Sequence, residues 1–482
     1  MLTDRVRILV LCGLTCTLVA CTGGEPAPPG RQATAPTATD PAPGAAGAGD
    51  PYYPADGNGG YDALGYEVTV RYEPGTNRLH GDTVLNARAT KDLSRFNLDL
   101  RGFEVESVRV NDRPAEFRRE GEFELVISPQ RALAEAETFR VRVRYGGTPQ
   151  SAGEGQLGAN GWQRTGSGGA LVLGQPHSAA YWYPVNETPR DKATFRLEAT
   201  VPQGWTAVSI GREAGSETAD GWTTTTWAES TPVASYLTTL AIGRFTLDRR
   251  TLADGTPVLD AYAAGAEPQR ELGRRTGEII EFLAGRFGPY PQRAAGGIYL
   301  DEPIGFSLET QGRPVYAEWA DLETVVHELA HQWYGNSVSV RSWSDICLNE
   351  CLASYAQWLW LEAKEGANLD ARFRRIVEQT RNDGEFWSPK LHEMGAGNEF
   401  DGVYDKGPLA IHALRRQIGE ESFARVLREW AAEHRDGNAS WPEFERFVAG
   451  ISGQDLDEFF ANWFRGTGIP RPEHLLPGTL SG

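Results

Sequence analysis

Alternating hydrophobic and polar positions dominate the first half of the chain. Residues 66–72 and 139–145 alternate apolar and polar side chains with a period of two, and 194–201 repeats the pattern. Turn-forming residues such as Asn111 separate these runs. Because alternation leaves one sheet face apolar and the other polar, residues 51–248 are predicted to form an antiparallel β domain with solvent on one side.

A helical period replaces this alternation in the second half of the chain. Residues 321–334 are predicted to form a helix, with Asp321 as its N-cap and Gly335 as the residue that ends it. A second long helix and several shorter ones are predicted to follow. The fold class is therefore predicted to be α+β, with a mainly helical domain at 249–470 and a short tail at 471–482.

The N-terminus has the features of a bacterial export signal. Two arginines precede a mostly apolar run at 8–19, which is too short to span a bilayer comfortably. The following Leu-Val-Ala-Cys resembles the lipobox of bacterial lipoproteins, so 1–21 is predicted to be a lipoprotein signal peptide, with an ordinary cleaved signal as the alternative. Lipidated Cys21 would hold the exported protein at the outer face of the bacterial cytoplasmic membrane. Residues 22–50, rich in Ala, Pro and Gly, are predicted to be a disordered tether.

The net charge bears on whether the protein binds nucleic acid, and the cysteine content bears on whether it contains disulfides. The 482-residue chain has a formal net charge of −18, which argues against nucleic-acid binding because a phosphate backbone requires a basic surface. Outside the predicted signal the only cysteines are Cys347 and Cys351. Two buried free thiols are the favoured prediction for this pair; a strained disulfide and metal ligation are the alternatives.

The sequence His-Glu-Leu-Ala-His at 327–331 is the most informative segment. Two imidazoles at i and i+4 share one helical face and can bind one tetrahedral ion at about 2.0–2.1 Å. Glu328 lies about 100° around the helix, where it reaches a metal-bound water and not the ion. A catalytic zinc usually takes a third protein ligand, for which Glu350 on the next predicted helix is the candidate. The set predicts one zinc ion per chain, held by His327, His331 and Glu350; a satisfied surface histidine pair is the alternative.

This motif and its surroundings resemble those of the gluzincin aminopeptidases, which include aminopeptidase N and the leukotriene hydrolase. The two histidines are followed by Trp-Tyr-Gly-Asn, and Glu350 stands after 18 intervening residues in Leu-Asn-Glu. The resemblance covers roughly residues 60–470 and implies a β-sandwich or saddle domain followed by a thermolysin-like catalytic domain. The large C-terminal helical domain of longer members is expected to be absent.

The resemblance also implies roles for four further residues. Tyr404, in Tyr-Asp-Lys-Gly, matches the tyrosine that donates a hydrogen bond to the oxyanion. Glu309 and Gly305 match an edge strand that pairs with the substrate and whose glutamate binds the free α-amine. Gln175 matches a residue of the β domain that helps to hold the same amine.

Three positions depart from the family pattern. Leu308 replaces a methionine, which is a mild apolar change. Thr310 replaces an asparagine and removes a side-chain amide donor. Cys351 stands where the family has glycine, and the sequence gives no functional reason for it.

The predicted function is that of a zinc metalloaminopeptidase acting on peptides with a free N-terminus. Zinc lowers the pKa of a bound water from about 15.7 to about 7, and Glu328 is the general base that accepts its proton. An endopeptidase or small-molecule hydrolase using the same metal is one alternative. A non-catalytic surface binding module is the other.

Overall fold

A computed structural model describes residues 40–481 of the protein. Its first half consists mainly of strands, as the alternating pattern predicts. These strands are β1 (Ala42–Pro43), β2 (Tyr61–Glu73), β3 (Arg78–Ala89), β4 (Leu93–Asp99), β5 (Glu104–Val110), β6 (Arg113–Pro114), β7 (Glu116–Glu120), β8 (Glu124–Ser128), β9 (Thr138–Gly147), β10 (Ser151–Gly155), β11 (Gly158–Arg164), β12 (Ala170–Leu173), β13 (Ala193–Pro202), β14 (Thr206–Ser209), β15 (Arg212–Ala219), β16 (Trp222–Val233) and β17 (Leu240–Gly243).

The largest sheet has eight strands in the order β15-β16-β13-β2-β3-β9-β5-β6. Along β2, Val68, Val70 and Tyr72 are buried while the residues between them are exposed, which confirms the predicted alternation. Most neighbouring strands are antiparallel, but β2 pairs with β13 in parallel. The expectation of a purely antiparallel domain is wrong at this pair, because the period-two pattern is the same for both strand directions.

Two smaller sheets, β10-β11-β12-β17-β14 and β1-β4-β8-β7, pack against the large one. The ring of Tyr72 in the large sheet lies 4.9 Å from that of Trp162 in the five-stranded sheet. Phe139 likewise lies 5.1 Å from Phe96 in the four-stranded sheet. These aromatic contacts fill the interior of a β-sandwich.

The second half combines a small sheet with helices. The sheet β18-β19-β20-β21 and the pair β22-β23 accompany eleven α-helices in the described part of the chain. The strands are β18 (Thr246–Thr251), β19 (Pro257–Tyr262), β20 (Ala295–Tyr299), β21 (Val315–Tyr316), β22 (Ser339–Val340) and β23 (Asn438–Ala439). The helices are α1 (Arg270–Arg274), α2 (Thr276–Phe287), α3 (Leu322–Ala330), α4 (Cys347–Glu365), α5 (Leu369–Thr380), α6 (Gly384–Trp387), α7 (Lys406–Ile418), α8 (Glu420–Glu433), α9 (Trp441–Ser452), α10 (Asp457–Phe460) and α11 (Pro472–Leu475). Within residues 40–481, none of the helices has both the length and the apolar character needed to cross a bilayer.

The predicted tether ends earlier than expected. The signal at 1–21 and the tether as far as residue 39 lie outside the described residues, but β1 pairs with β4 and Asp50 is buried. The Asp50 carboxylate accepts a hydrogen bond from the Trp343 backbone N–H at 2.9 Å. Order from residue 41 onward therefore rests on backbone and polar contacts, which a composition of Ala, Pro and Gly does not reveal.

The structure also differs from the other two predicted domain boundaries, at 248/249 and at 471. The division between residues 248 and 249 falls within β18, which pairs with β19 of the second half. The predicted tail at 471–482 contains α11 and a 3-10 turn, and Leu475 and Leu480 are buried. Three leucines in a short segment are too few to show a periodic pattern, although the two buried ones are enough to pack the segment against the core.

The β-rich half and the helical half share an interface at the segment that follows α3. Lys192 of the β-rich half donates to the backbone carbonyls of Asn336 and Ser337 at 2.7 and 2.9 Å. The ring of Tyr236 lies 5.3 Å from that of Trp343. These contacts place β-domain side chains directly against the segment that follows α3.

Candidate metal centre and active site

Helix α3 presents the first part of the site. Asp321 caps the helix by accepting from the Thr324 N–H at 2.9 Å, as the sequence predicts. The helix ends at Ala330, four residues before the predicted end, and His331 is its C-cap. Gly335 then turns the chain at a φ of +124°, and a Cβ there would come within 3.2 Å of His331 Nδ1. A glycine is required at this position because the backbone approaches the imidazole so closely.

Three side-chain donor atoms converge at one point. The Nε2 atoms of His327 and His331 lie 2.9 Å apart, and Glu350 Oε2 lies 3.3 and 3.4 Å from them. Glu350 comes from the first turn of α4, so two helices supply the three ligands. All three side chains are buried. The predicted juxtaposition of two imidazoles with a distant carboxylate is confirmed.

The two separations from Glu350 match those around one zinc ion, and the 2.9 Å between the imidazole nitrogens is shorter. Ligand atoms around a tetrahedral ion at about 2.0–2.1 Å are themselves about 3.3 Å apart. His331 Nδ1 donates to the Tyr334 carbonyl at 2.9 Å, which leaves Nε2 free to bind a metal. Burial lowers the pKa of His331, but the negative charge of Glu350 and its neighbours outweighs burial and raises the pKa to about 10. A divalent ion bound at Nε2 would take the place of this proton and supply positive charge beside Glu350.

Glu328 lies beside these three ligands. Its side chain is buried at the cleft and joins Glu309 and His331 in a second group whose donor atoms lie within 4.8 Å of one another. Burial, together with the negative charge of Glu309 and Glu350, raises the pKa of Glu328 well above its usual value. A carboxylate with a raised pKa is suited to accept a proton during a reaction.

Glu309 is held by two donors from the β-rich half. Tyr236 Oη donates to Glu309 Oε1 at 2.9 Å, and Gln175 Nε2 donates to the same oxygen at 3.4 Å. The Glu309 side chain is 2% exposed, and no lysine or arginine is among the described residues that line the cleft. Burial raises the pKa of this carboxyl. A carboxylate in this position is suited to bind a substrate cation.

The backbone of Glu309 is fixed by the segment that carries the metal ligands. Asn336 Nδ2 and Gln332 Nε2 donate to the Glu309 carbonyl at 2.7 and 3.3 Å. Thr310, which departs from the family pattern, donates its hydroxyl to the Arg313 carbonyl at 2.6 Å and thereby closes the following turn. Direct hydrogen bonds thus hold the backbone of Glu309 against the segment that carries His331.

Gly305 lines the same cleft, but the predicted edge strand is irregular. Leu308 forms a single antiparallel bridge with Val315, and residues 304–307 are not in a described strand. A Cβ on Gly305 would come within 3.1 Å of the Leu157 carbonyl. A side chain here would therefore press on the hairpin tip that faces the cleft.

Tyr404 lies just before α7, with its ring 6.0 Å from the His327 ring and 40% of its surface exposed to the cleft. The start of this helix is held by Lys406, whose buried Nζ donates to the carbonyls of Trp387, Pro389 and Gly466 at 2.7–3.1 Å. Removal of the phenol from bulk water and the negative charge of Glu350 raise the pKa of Tyr404. Tyr404 is therefore a protonated hydrogen-bond donor at neutral pH.

Cys351 contacts the same helix. Its Sγ is 2.7 Å from where a Cβ on Gly407 would lie, so the cysteine fills the space between α4 and α7. The structure joins Cys347 and Cys351 in a disulfide, with Cα atoms 4.8 Å apart. The prediction of free thiols is wrong, because this separation lies within the range of about 4.4–6.8 Å that disulfides accept.

The cleft that contains these residues has a volume of about 330 Å³. The residues that the sequence predicts for the site all line this cleft: His327, His331, Glu350, Glu328, Glu309, Tyr404, Gln175 and Gly305. Sequence reasoning missed Tyr236, which lies 73 residues before Glu309 in a 3-10 turn of the β-rich half. No local motif marks this tyrosine, and only the packing of the two halves brings its hydroxyl to Glu309.

Comparison with known families agrees with this geometry. The model of the peptidase family M1 domain matches residues 313–463, and that of the peptidase M1 N-terminal domain matches residues 63–237. Together they span about two thirds of the chain. The chain belongs to the M1 peptidase family. The first match contains the three metal ligands and Tyr404, and the second contains Gln175 and Tyr236.

Solved M1 structures resemble the chain over nearly their whole length. The M1 zinc metallopeptidase from Deinococcus radiodurans is 29% identical, with a TM-score of 0.79, over 88% of this chain and 98% of that one. A mutant of that protein bound to the peptide Tyr-Ser-Ala gives a TM-score of 0.80 at 29% identity, over 89% of this chain and 100% of that one. The β-rich half followed by a helical half is thus an M1 architecture.

Curated M1 relatives are longer than this chain. Aminopeptidase N of Lactococcus lactis subsp. lactis is 28% identical over 326 residues, which cover 61% of this chain and 38% of the relative. Aminopeptidase M1-B of Oryza sativa subsp. japonica is 26% identical over 314 residues, which cover 60% of this chain and 36% of the relative. The matched region therefore spans little more than a third of these relatives.

Proposed function

We propose that the protein is a zinc-dependent aminopeptidase that removes residues from the N-terminus of peptides. The observation that carries the proposal is the buried Glu309 carboxylate, which shares one cleft with the ligand triangle of His327, His331 and Glu350. An anchor for a cationic amine next to a metal centre places the first peptide bond of a substrate at the reacting groups. The curated relatives described above are aminopeptidases, which supports the same activity.

Glu328, Tyr404 and Glu309 have separate roles in the proposed hydrolysis. When bound, zinc supplies a Lewis acid that polarises the scissile carbonyl and lowers the pKa of an attacking water. Glu328 accepts the proton of that water and passes it to the leaving amine. Tyr404 donates a hydrogen bond to the oxygen on which negative charge develops, because its raised pKa keeps the phenol protonated. Glu309, held by Tyr236 and Gln175, fixes the substrate amine and thereby the register of cleavage.

The test uses matched peptides with a free and an N-acetylated terminus. Purified protein should release the first residue of the free peptide and leave the acetylated peptide intact, and a chelator should abolish release until zinc is returned. Equal cleavage of both peptides would refute the amine anchor and favour an endopeptidase. Glu309→Ala should reduce release while zinc content stays near one per chain. Glu323→Gln, which neutralises a partly exposed carboxylate in the first turn of α3, serves as the control for a lost charge.

We also propose that the protein is exported and anchored by lipid on Cys21 at the outer face of the bacterial cytoplasmic membrane. The support is the Leu-Val-Ala-Cys motif after a short apolar run in residues 1–21, which lie outside the described part. Fatty-acid labelling in a bacterial host should mark the wild-type chain and not Cys21→Ser. Equal labelling of both chains would contradict the proposal.

A further inference from the structure

Trp319 places an exposed indole at the rim of the cleft. With 52% of its surface accessible, it is the most exposed of the large apolar side chains in the described part of the protein. Its indole Nε1–H donates to the Ile304 carbonyl at 2.9 Å. The polar atom of the side chain is therefore satisfied, and the ring surface is what remains available to a ligand.

The backbone around Trp319 is hydrogen-bonded to residues 307 and 308, which directly precede Glu309. Ala317 N–H donates to the Ser307 hydroxyl at 3.2 Å, and Ala320 N–H closes a tight turn onto the Ala317 carbonyl at 3.1 Å. The Leu308–Val315 bridge fixes the two segments side by side. Trp319 is thereby held in place before any substrate binds, which lowers the conformational entropy lost on binding.

The position of Trp319 relative to the anchor decides which part of a substrate it meets. Glu309 receives the amine, and the bond to be cut lies at the metal ligands, so the rest of the peptide must extend away from Glu309. Gly305, four residues before Glu309, lines the cleft in a segment that forms no regular strand. Trp319 contacts this segment through Ile304 and not at Glu309 itself, which assigns it to the side of the leaving group.

We propose that Trp319 is a specificity-determining residue that binds an apolar side chain, aromatic above all, at the second or third position of the peptide. This inference rests on the proposed aminopeptidase function. Phe306 and Leu157 line the same cleft as Trp319, and the described lining includes no lysine or arginine to pair with an acidic side chain. An aromatic side chain on the substrate would cover the indole and remove apolar surface of both partners from water.

The test measures selectivity among tripeptides with the same first residue. The wild-type chain should release alanine from Ala-Phe-Ala or Ala-Ala-Phe with a kcat/KM about threefold to tenfold above that for Ala-Ala-Ala, the range that aromatic pairing energies give. Trp319→Ala should remove this preference, mainly by raising KM for the phenylalanine peptide. Trp319→Phe should restore a large part of it. Phe117→Ala, which removes another exposed aromatic ring on β7, should leave the selectivity at the wild-type value.

The outcomes separate this inference from the proposed function. Alaninamide has no side chain on its leaving group, so its hydrolysis by the wild-type chain reports the aminopeptidase activity alone. Loss of activity in Trp319→Ala that is equal for alaninamide and all three peptides would overturn the inference, since it would mean a general role in cleft structure. Retention of the phenylalanine preference in Trp319→Ala would also overturn it. A wild-type chain that releases nothing from alaninamide or from any peptide would refute the proposed function, and this inference with it.

Discussion

Removal of the Tyr236 hydroxyl is expected to weaken substrate binding without disturbing the metal. Tyr236→Phe deletes the 2.9 Å hydrogen bond to Glu309 and leaves only the 3.4 Å contact from Gln175. A hydrogen bond to a charged group contributes about 1.5–3 kcal/mol. Because water or the substrate amine can satisfy the freed oxygen, we expect the lower value of about 1.5 kcal/mol, which is about tenfold in kcat/KM.

The assay is steady-state release of alanine from alaninamide, with zinc measured in each preparation. The loss should fall mainly on KM, because an anchor that holds the amine equally in the ground state and the transition state affects binding more than turnover. Tyr183→Phe is the matched control, since it removes a buried hydroxyl of the same half that lies 3.3 Å from Thr238. A kcat/KM within twofold of wild type, or an equal loss in the control, would refute the role of Tyr236.

Three further predictions concern the base, the disulfide and the ordered N-terminal segment. Glu328→Gln should keep zinc near one per chain and lose about 10²–10⁴-fold in kcat, whereas a loss of zinc with activity would reassign Glu328 as a ligand. Reduction of the Cys347–Cys351 disulfide should lower the melting temperature only slightly, because the closed loop is short; a large drop in a thermal melt would contradict this. Burial lowers the pKa of His177, but Asp56, 2.8 Å away, outweighs burial and raises it. The pair should therefore stabilise the fold below pH about 6.5 and lose this contribution as pH rises through the higher folded value. Denaturant unfolding of wild type and His177→Gln should differ more at pH 5 than at pH 9, and a constant difference would exclude the linkage.

The histidine pair was predictable from sequence because its geometry is local. His327 and His331 are one helical turn apart, so helical spacing alone brings their imidazoles together. Glu350 lies in the first turn of α4, and residues 331–346, which include β22, separate it from α3, so its place was predicted from the motif spacing and the family resemblance. The capping role of Asp321 was predictable for the same reason as the histidine pair, because it depends only on residues close in sequence.

The Tyr236–Glu309 hydrogen bond, the start of the folded segment and the direction of one strand pair were not predictable from local spacing. Tyr236 reaches Glu309 only because two halves of the chain pack together, and no spacing rule connects residues so far apart in sequence. Residues 41–50 join the fold through backbone hydrogen bonds and the Asp50 carboxylate, and a composition rich in Ala, Pro and Gly predicts neither. The parallel β2–β13 pair was missed because alternation specifies which face is buried but leaves strand direction open.

The central claim is that two imidazoles and one carboxylate hold a single zinc ion in this cleft. Anomalous diffraction from crystals of the full chain, recorded on both sides of the zinc absorption edge, tests it directly. We expect one strong peak at about 2.0–2.1 Å from the Nε2 atoms of His327 and His331 and bonded to the Glu350 carboxylate. A peak at any other group of residues, or a cleft without a zinc signal in protein that is active and zinc-replete, would contradict it.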